Sequence, residues 1–267
     1  MAGTTRMGAA PEMTEPTMRE WGRPLAAELA RLVVVSPHFD DAVLGCGLLL
    51  AVNPGATVIT VLGGFPPAYP DHVTAWDAFG GFRDGDDVVA ARREEDHAAM
   101  DALGCRHRWL PFTDHQYVGP GAYRAEEVAG PLEAAILDAD PTAVFMPFGM
   151  ANPDHVLTHA AAAIVQARHP DLHWFCYEDY GYKHIPGMLA WRVSSLFKRA
   201  LWPTPAVIPV DHGEEKKRAA LACYPSQLPA LEHDWGISAI LDAPAPEQYW
   251  RLAPPPPGWE GIATRDP

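Results

Sequence analysis

Short apolar runs rich in β-branched residues alternate along the chain with longer segments of helical periodicity. Five of these runs predict strands, at 32–36, 57–62, 107–110, 143–146 and 172–177. The longer segments predict helices between them, at 41–51, 88–103, 125–139 and 153–167. Strands that alternate with helices are typical of a mostly parallel sheet covered by helices on both faces. We therefore predict an α/β fold, a three-layer Rossmann-like sandwich.

The pattern is weaker toward both ends of the chain and in one long loop. A further strand is predicted at 206–210 and a further helix at 214–223. The loop at 63–86 is long enough to suggest a functional role, and its aromatic residues are candidates to cover a ligand. Pro254–Pro257 is expected to be extended. The predicted units are a flexible arm at 1–24, a single α/β domain at 25–242 and a Pro-rich tail at 243–267.

Charge and cysteine usage limit the partners of the chain. The formal net charge of −14 disfavours nucleic acid and anionic membrane surfaces as partners, and favours a neutral or cationic small molecule. The four cysteines are far apart in sequence and predict free thiols in a reducing compartment. We find neither the apolar segment of a signal peptide nor the roughly 20 apolar residues of a membrane span. These features predict a cytoplasmic protein and are compatible with a homo-oligomer.

The first group of chemically active residues follows the first predicted strand. His38 and Asp41 are three residues apart across a tight turn, so an imidazole nitrogen and a carboxylate oxygen can converge on one ion. Asp40 lies between them, points elsewhere and can act on a water molecule at that ion. A helix cap would explain one of these carboxylates, but not two carboxylates and a histidine. The carboxyl end of a strand in an open α/β sheet is also where ligands bind.

A second group follows the fourth predicted strand. A catalytic metal held by one His and one Asp needs a third protein ligand and keeps one position open. His155 is the candidate, because its loop occupies the same topological place as His38, and Asp154 is expected to orient a group of the site. His159 lies one helical turn later on the same face, where it is a candidate substrate contact. Coordination of the metal by both His155 and His159 is the alternative.

The motifs in these two groups together resemble one enzyme family. Pro37-His38-x-Asp40-Asp41, with Asp154-His155 after the fourth strand, is similar to the PIG-L (LmbE-like) family of zinc-dependent N-deacetylases. Its members remove acyl groups from amino sugars, including sugars of some antibiotics. The resemblance spans about residues 31–230, and the first motif is fairly specific. Further motifs agree mainly by their order, namely Arg92-x-x-Glu95, Asp114-His115-Gln116-Tyr117, Glu178-Asp179 and Tyr224-Pro225-Ser226-Gln227.

The resemblance implies a fold, a reaction and roles for individual residues. It implies an LmbE-like fold, Zn²⁺ as cofactor with Fe²⁺ as the alternative, and an N-acylated amino sugar or glycoconjugate as substrate. The acyl group removed is expected to be acetyl. A solvated helix charge remains the alternative for Arg92, and a turn cap remains the alternative for Asp114. By position, the implied roles are metal ligands at His38, Asp41 and His155, a general base at Asp40, and substrate contacts at Arg92 and Asp114.

The chain also departs from the family pattern. Phe39 and Ala42 differ from the usual residues without touching the ligand set. Asn152 stands where many members have a His thought to assist charge or proton transfer. As a catalytic residue, Asn152 can donate a hydrogen bond to the developing oxyanion, but its amide cannot deliver a proton at neutral pH. Either Asp40 carries the proton to the leaving amine, or another group such as His159 does so. The alternative function is a non-hydrolytic metal- or sugar-binding member. Nucleotide binding is disfavoured because no G-x-G-x-x-G motif follows the first strand.

Overall fold

The central feature of the fold is a mixed β-sheet. The computed structural model describes residues 22–199, 201–210, 212–239 and 246–253. The strands in these residues are β1 (Leu32–Ser36), β2 (Thr57–Thr60), β3 (Arg106–Trp109), β4 (Ala143–Pro147), β5 (His173–Tyr177), β6 (Trp202–Ala206) and β7 (Tyr249–Ala253). They form one sheet in the order β3-β2-β1-β4-β5-β7-β6. β1 to β5 are parallel, whereas β7 is antiparallel to β5 and β6. The predicted mostly parallel α/β fold is confirmed.

Helices cover both faces of this sheet. They are α1 (Asp41–Val52), α2 (Ala75–Phe79), α3 (Val88–Leu103), α4 (His115–Val118), α5 (Ala125–Asp138), α6 (Pro153–Arg168), α7 (Met188–Phe197), α8 (Glu214–Leu221) and α9 (Leu228–Trp235). The side chains of β1 alternate between two cores, because successive residues of a strand point to opposite faces. Val34 packs in a core with residues of α1, α3 and α8. Val33 and Val35 pack in a second core with residues of α5 and α6.

The C-terminal part of the sheet differs from the prediction. The strand predicted at 206–210 lies earlier, at Trp202–Ala206, and it contains Pro203 and Pro205. Prolines cannot donate to a ladder and occur mainly on edge strands, and β6 is the edge strand here. Among the short C-terminal helices, α8 was predicted at 214–223, whereas α7 and α9 were not. Segments of 8 to 10 residues give helical periodicity only a weak signal.

The two predicted terminal segments lie largely outside the described residues. This applies to residues 1–21 of the arm and to 241–245 and 254–267 around the tail, including the extended segment predicted at Pro254–Pro257. Within the predicted tail, Tyr249–Ala253 forms β7, which pairs with β5 and β6. No helix among the described residues combines the length and the apolar character needed to cross a membrane.

The order of the strands creates a crevice at one edge of the sheet. β1 pairs with β2 on one side and with β4 on the other. The chain therefore leaves β1 and β4 in opposite directions from adjacent positions, and ligands of open α/β sheets bind at such a point. β1 and β4 are fully buried, so their carboxyl ends are rigid supports for the two loops that follow.

Candidate metal centre

Neither Asp40 nor Asp41, the two carboxylates in the loop after β1, is used to cap helix α1. Ser36 Oγ accepts a hydrogen bond from the Ala42 N–H at 2.9 Å, at the start of α1. Asp40 occupies the N-cap position but makes no side-chain capping bond. Asp41 accepts from the His38 N–H at 2.9 Å, which fixes the turn between them. The simple explanation of Asp40 as a helix cap therefore does not apply.

Two imidazoles converge on the carboxylate of Asp41. Asp41 Oδ2 lies 3.2 Å from His38 Nδ1 and 3.3 Å from His155 Nε2. The two rings have their centroids 5.3 Å apart, and ligand atoms of the three residues all lie within 4.8 Å of one another. In a tetrahedral zinc site with bonds of about 2.0–2.1 Å, adjacent ligand atoms are roughly 3.3 Å apart. The spacing therefore fits a small divalent ion.

Each of these imidazoles is held at its other nitrogen by a further carboxylate. His38 Nε2 lies 3.0 Å from Asp154 Oδ2, and His155 Nδ1 lies 2.5 Å from Asp179 Oδ1. The other oxygen of Asp179 accepts from the Gly149 N–H at 2.9 Å, which ties the loop after β4 to the end of β5. A carboxylate on the second nitrogen is the usual support of a metal-binding histidine, because it sets the orientation of the ring.

Sequence reasoning gave Asp179 no role. Its signal was present as an acidic pair, Glu178-Asp179, directly after a predicted strand. Only the pairing of β5 with β4 brings this carboxylate beside His155. Asp179 is 1% exposed, and burying a charge is costly unless it is paired, so its contacts with His155 and Gly149 account for its position.

The electrostatics of the cluster favour a cation. Burial lowers the pKa of His155, but the Asp41 charge and the Asp179 hydrogen bond outweigh it and raise the pKa to about 9. Burial and the Asp41 charge raise the pKa of Asp40 to about 7. Both shifts come from acidic groups crowded into a buried site. A bound metal ion would reverse much of this local pattern, because its charge favours the ionised carboxylates and the neutral rings.

A second group of potential ligands adjoins the first. Ligand atoms of His38, Asp114 and Asp154 also lie within 4.8 Å of one another. The two groups share His38, whose Nε2 lies 3.0 Å from Asp154 and 3.8 Å from Asp114. The described residues thus offer two adjoining sets of donors, one with two imidazoles and one carboxylate, the other with one imidazole and two carboxylates.

The cluster lines a cavity of about 350 Å³. Asp40, Asp114, Asn152 and Arg92 line it together with the cluster. Further lining comes from aromatic side chains on four different segments of the chain, namely Trp76, Tyr117, Tyr180, Tyr182 and Trp235. Trp76 belongs to the predicted functional loop at 63–86, so this loop does contribute to the wall of the cavity.

The polar residues predicted to contact substrate are held in different ways. The Arg92 guanidinium is buried and forms an ion pair with Asp77 at 2.9 Å, so it is not a solvated helix charge. Asp114 caps α4 by accepting from the Gln116 N–H at 2.8 Å, and it also lines the cavity. Asn152 caps α6 by accepting from the Asp154 N–H at 2.8 Å.

His159 lies apart from the other predicted site residues. Its Nδ1 lies 2.9 Å from the carbonyl oxygen of Pro147, and the side chain is 1% exposed. It is not among the residues that line the cavity. Burial, reinforced by the Arg192 charge, lowers its pKa to about 3, so the ring is neutral near pH 7. In this position His159 supports the carboxyl end of β4.

The fold and the cluster define a class of protein. A mostly parallel α/β sheet, with a His/Asp cluster at the carboxyl ends of its parallel strands and facing a cavity, is the arrangement of a metal-dependent hydrolase. The family model described as PIG-L: GlcNAc-PI de-N-acetylase matches residues 33–166, just over half of the chain. The chain therefore belongs to the PIG-L family, as its motifs predicted, and the enzyme class of that family is metal-dependent amide hydrolysis.

Solved structures of deacetylases are similar to this chain over most of its length. A40926 pseudoaglycone deacetylase is 26% identical, with a TM-score of 0.68 over 85% of this chain and 98% of that one. A zinc-inhibited form of teicoplanin deacetylase is 25% identical, with a TM-score of 0.67 over 85% of this chain and all of that one. The N,N'-diacetylchitobiose deacetylase of Pyrococcus horikoshii, 16% identical over 84% of each chain with a TM-score of 0.51, shares the fold. No curated protein matches significantly.

Proposed function

We propose that this protein is a metal-dependent deacetylase that removes the N-acetyl group of an amino sugar carried by a small glycoconjugate. The observation that carries the proposal is the convergence of His38, Asp41 and His155 at the spacing of zinc ligands. Asp40 lies next to them and lines the same cavity without serving as a helix cap. Amide hydrolysis of this type requires a metal site to activate water and a free carboxylate beside it, both open to a cavity.

We assign the metal to His38, Asp41 and His155 rather than to the adjoining group. With this assignment, His38 binds through Nδ1 and His155 through Nε2, and each ring keeps a carboxylate on its other nitrogen. In the adjoining group, His38 would bind through Nε2 and lose the support of Asp154. Zn²⁺ is the metal we propose, since two imidazoles and one carboxylate suit it, and Fe²⁺ suits the same donors.

A divalent metal at this place would polarise the amide carbonyl and lower the pKa of the attacking water. Asp40 accepts the proton of that water as it attacks. Asn152 donates from Nδ2 to the Tyr182 hydroxyl at 3.2 Å, and both residues line the cavity. This pair supplies neutral hydrogen-bond donors for the oxyanion that develops on the carbonyl oxygen.

The cavity supports a sugar-bearing substrate. Its aromatic side chains offer flat apolar faces, and Asp114 offers a carboxylate acceptor for hydroxyl groups. A volume of about 350 Å³ holds a small ligand or one unit of a larger one. The similarity to deacetylases of the A40926 pseudoaglycone and of teicoplanin supports a substrate of that kind as the carrier of the sugar. The four free cysteines support the cytoplasm as the location.

The test combines metal binding with product analysis. The metal-free protein is loaded with one equivalent of Zn²⁺ or Fe²⁺, because the teicoplanin deacetylase also exists in a zinc-inhibited form. It is then incubated with N-acetylglucosamine, its aryl glycosides and glycopeptide pseudoaglycones. We expect equal release of free amine and acetate that depends on the metal. Metal at 100 times its Kd should also stabilise the fold by about 2.7 kcal/mol.

The alternative is a family member that binds metal and sugar without hydrolysis. It is favoured by Asn152, whose amide stands at the position of a proton-transferring His and caps α6 instead. Such a protein would bind the metal with the same stabilisation and would bind the glycosides, but it would release no amine from any of them. Amine release from one substrate excludes this alternative.

A further inference from the structure

Amide hydrolysis needs a proton donor for the departing nitrogen, and this chain has to supply one without a histidine at position 152. Free amide anions are very poor leaving groups, so a positioned acid is required. Asn152 has no proton to give at neutral pH. His159 lies outside the cavity with its ring held against Pro147. Asp40 already accepts the proton of the attacking water, so a separate acid has to come from another residue that lines the cavity.

Three histidines among the described residues line this cavity, namely His38, His115 and His155. Two of them belong to the proposed ligand set, which leaves His115. It is the first residue of α4 and its side chain is 31% exposed. The His115 ring also borders a second cavity of about 220 Å³, lined in part by Tyr123 and Val156. His115 thus lines both cavities, including the one that contains the proposed metal ligands.

The His115 ring is held in one orientation by carboxylates. Its Nδ1 lies 2.9 Å from Asp154 Oδ2 and 3.4 Å from Asp114 Oδ1, and its backbone N–H donates to Asp154 Oδ2 at 3.0 Å. The same Asp154 oxygen lies 3.0 Å from His38 Nε2. Nε2 of His115 has no hydrogen-bond partner among the described residues. One carboxylate thus joins the His115 ring to the ring of a proposed metal ligand.

We propose that His115 is the general acid of the reaction, and that its Nε2–H protonates the departing amine nitrogen in place of the missing histidine. This inference rests on the proposed function. An imidazole with one nitrogen bonded to a carboxylate and the other directed at the reacting group is the arrangement by which Asp–His pairs transfer protons. His115 is then a catalytic residue, and Asp154 positions it.

The charges that face the ring suit this role. The hydrogen bond to Asp114 and, against burial, the hydrogen bond to Asp154 raise the pKa of His115 to about 9. The titratable groups in contact with the ring are therefore the carboxylates of Asp114 and Asp154, and Asp154 in turn contacts His38. A nearby metal cation would lower this pKa toward neutrality, where an imidazolium is a more effective acid.

The proton balance closes with residues already described. Water attacks the carbonyl carbon, the new C–O bond forms, and one proton of the water passes to Asp40. The C–N bond then breaks, its electron pair goes to the nitrogen, and that nitrogen takes the Nε2 proton of His115. Acetic acid and the free amine leave. Asp40 releases its proton to solvent and His115 takes one back, so neither oxidant nor reductant is involved.

The test compares His115→Gln with His72→Gln, a matched change at a side chain that is 90% exposed. We expect His115→Gln to keep its zinc and its KM while kcat falls by roughly 10²–10⁴-fold. The alkaline limb of the kcat profile, where His115 loses its proton, should also disappear. His72→Gln should match the wild type. In the metal-free protein, the His115 ring signals should titrate near pH 9 by NMR.

A second variant separates acid catalysis from support of the fold. Asn152→His placed in the His115→Gln background restores an imidazole from the other side of the cavity, and we expect it to recover at least tenfold in kcat. A purely structural role of His115 would not be rescued in this way. The inference is wrong if His115→Gln retains kcat within about threefold of wild type, or loses zinc in parallel with activity. Absence of amine release by the wild type would instead overturn the proposed function.

Discussion

Two adjacent carboxylates in the site have different surroundings, although their side chains are chemically identical. Asp41 contacts both imidazoles, and their charges outweigh the effect of burial and hold its pKa well below the usual range. Asp40 lacks such partners, so burial and the Asp41 charge raise its pKa to about 7. The position of each side chain around the two rings, rather than its type, separates the proposed ligand from the proposed base.

The Asp40→Asn variant should keep its metal and lose most of its activity. Asn cannot accept the proton of the attacking water, so we expect amine release to fall by roughly 10²–10⁴-fold. Asp41→Asn serves as the comparison, because it removes a proposed ligand and should lose the metal itself. Metal content per protein and amine release are measured on both. Equal loss of metal in the two variants would show that the roles are reversed.

The Asp179→Asn variant should bind metal more weakly although Asp179 is not a ligand. The change weakens the contact that orients the His155 ring, and loss of such a contact typically costs 10–100-fold in metal affinity. Competition with a chelator of known affinity measures the effect. Asp171→Asn, at an exposed turn before β5, is the control and should leave the affinity unchanged. An unchanged affinity in Asp179→Asn would remove this carboxylate from the site.

At the scale of elements, the loop between β4 and α6 carries the geometry of the site. Gly149 has a φ of +76°, a conformation that side chains rarely adopt, and its N–H bonds Asp179. A Cβ at this position would lie 2.6 Å from His159 Cβ and 2.9 Å from the His155 carbonyl oxygen. A side chain at position 149 would therefore disturb the loop that positions His155, through both the backbone conformation and the contact with His159.

The Gly149→Ala variant should be destabilised, whereas Gly130→Ala should not. The left-handed backbone alone costs about 1–2 kcal/mol for a residue with a side chain, and the close contacts add to this cost. Gly130 lies within α5, and a Cβ there would meet no atom within 4 Å. Replacing it by Ala should stabilise the protein by up to about 1 kcal/mol. Urea unfolding measures whether each variant has a lower or a higher free energy of unfolding than the wild type. Equal changes in the two variants would contradict this account of the loop.

At the scale of the whole molecule, a buried carboxylate connects the helix layer to the sheet. Asp96 of α3 accepts from Trp109 Nε1 at 2.6 Å and from the Tyr224 hydroxyl at 2.9 Å. The same hydroxyl lies 3.0 Å from the Phe39 carbonyl oxygen, next to the site. Burial raises the pKa of Asp96 to about 6, against the two hydrogen bonds. The folded protein therefore holds a proton here more tightly than the unfolded chain does.

This shift predicts a pH dependence of the free energy of unfolding. The contribution of Asp96 is fully present below about pH 4, the ordinary pKa of Asp, and is lost as the pH rises through about 6. A shift of this size corresponds to a loss on the order of 2–3 kcal/mol. Asp96→Asn has no charge to bury, so its stability relative to wild type should increase between pH 4 and pH 7. Urea unfolding at several pH values measures the difference, and parallel pH curves would contradict it.

The secondary structure that depends on local sequence patterns could be predicted. The apolar patterns identified β1 to β5 and five of the helices to within a few residues, and the family prediction is confirmed by the family model. The prediction failed at β6 and β7, because the prolines of β6 obscure its pattern and β7 lies within a Pro-rich segment. Antiparallel pairing with β5 makes these segments strands, and such long-range pairing leaves no periodic signal in the sequence.

The sequence by itself determined which residues are candidates for the chemistry and at which strand ends they lie, because both follow from local patterns around His38 and His155. Only the tertiary structure decided their partners. The order of β1, β4 and β5 brings Asp179 to His155, and the loop before α4 brings Asp114 and His115 to Asp154. Distances between segments more than 20 residues apart depend on how strands pair and helices pack, and local periodicity does not encode them.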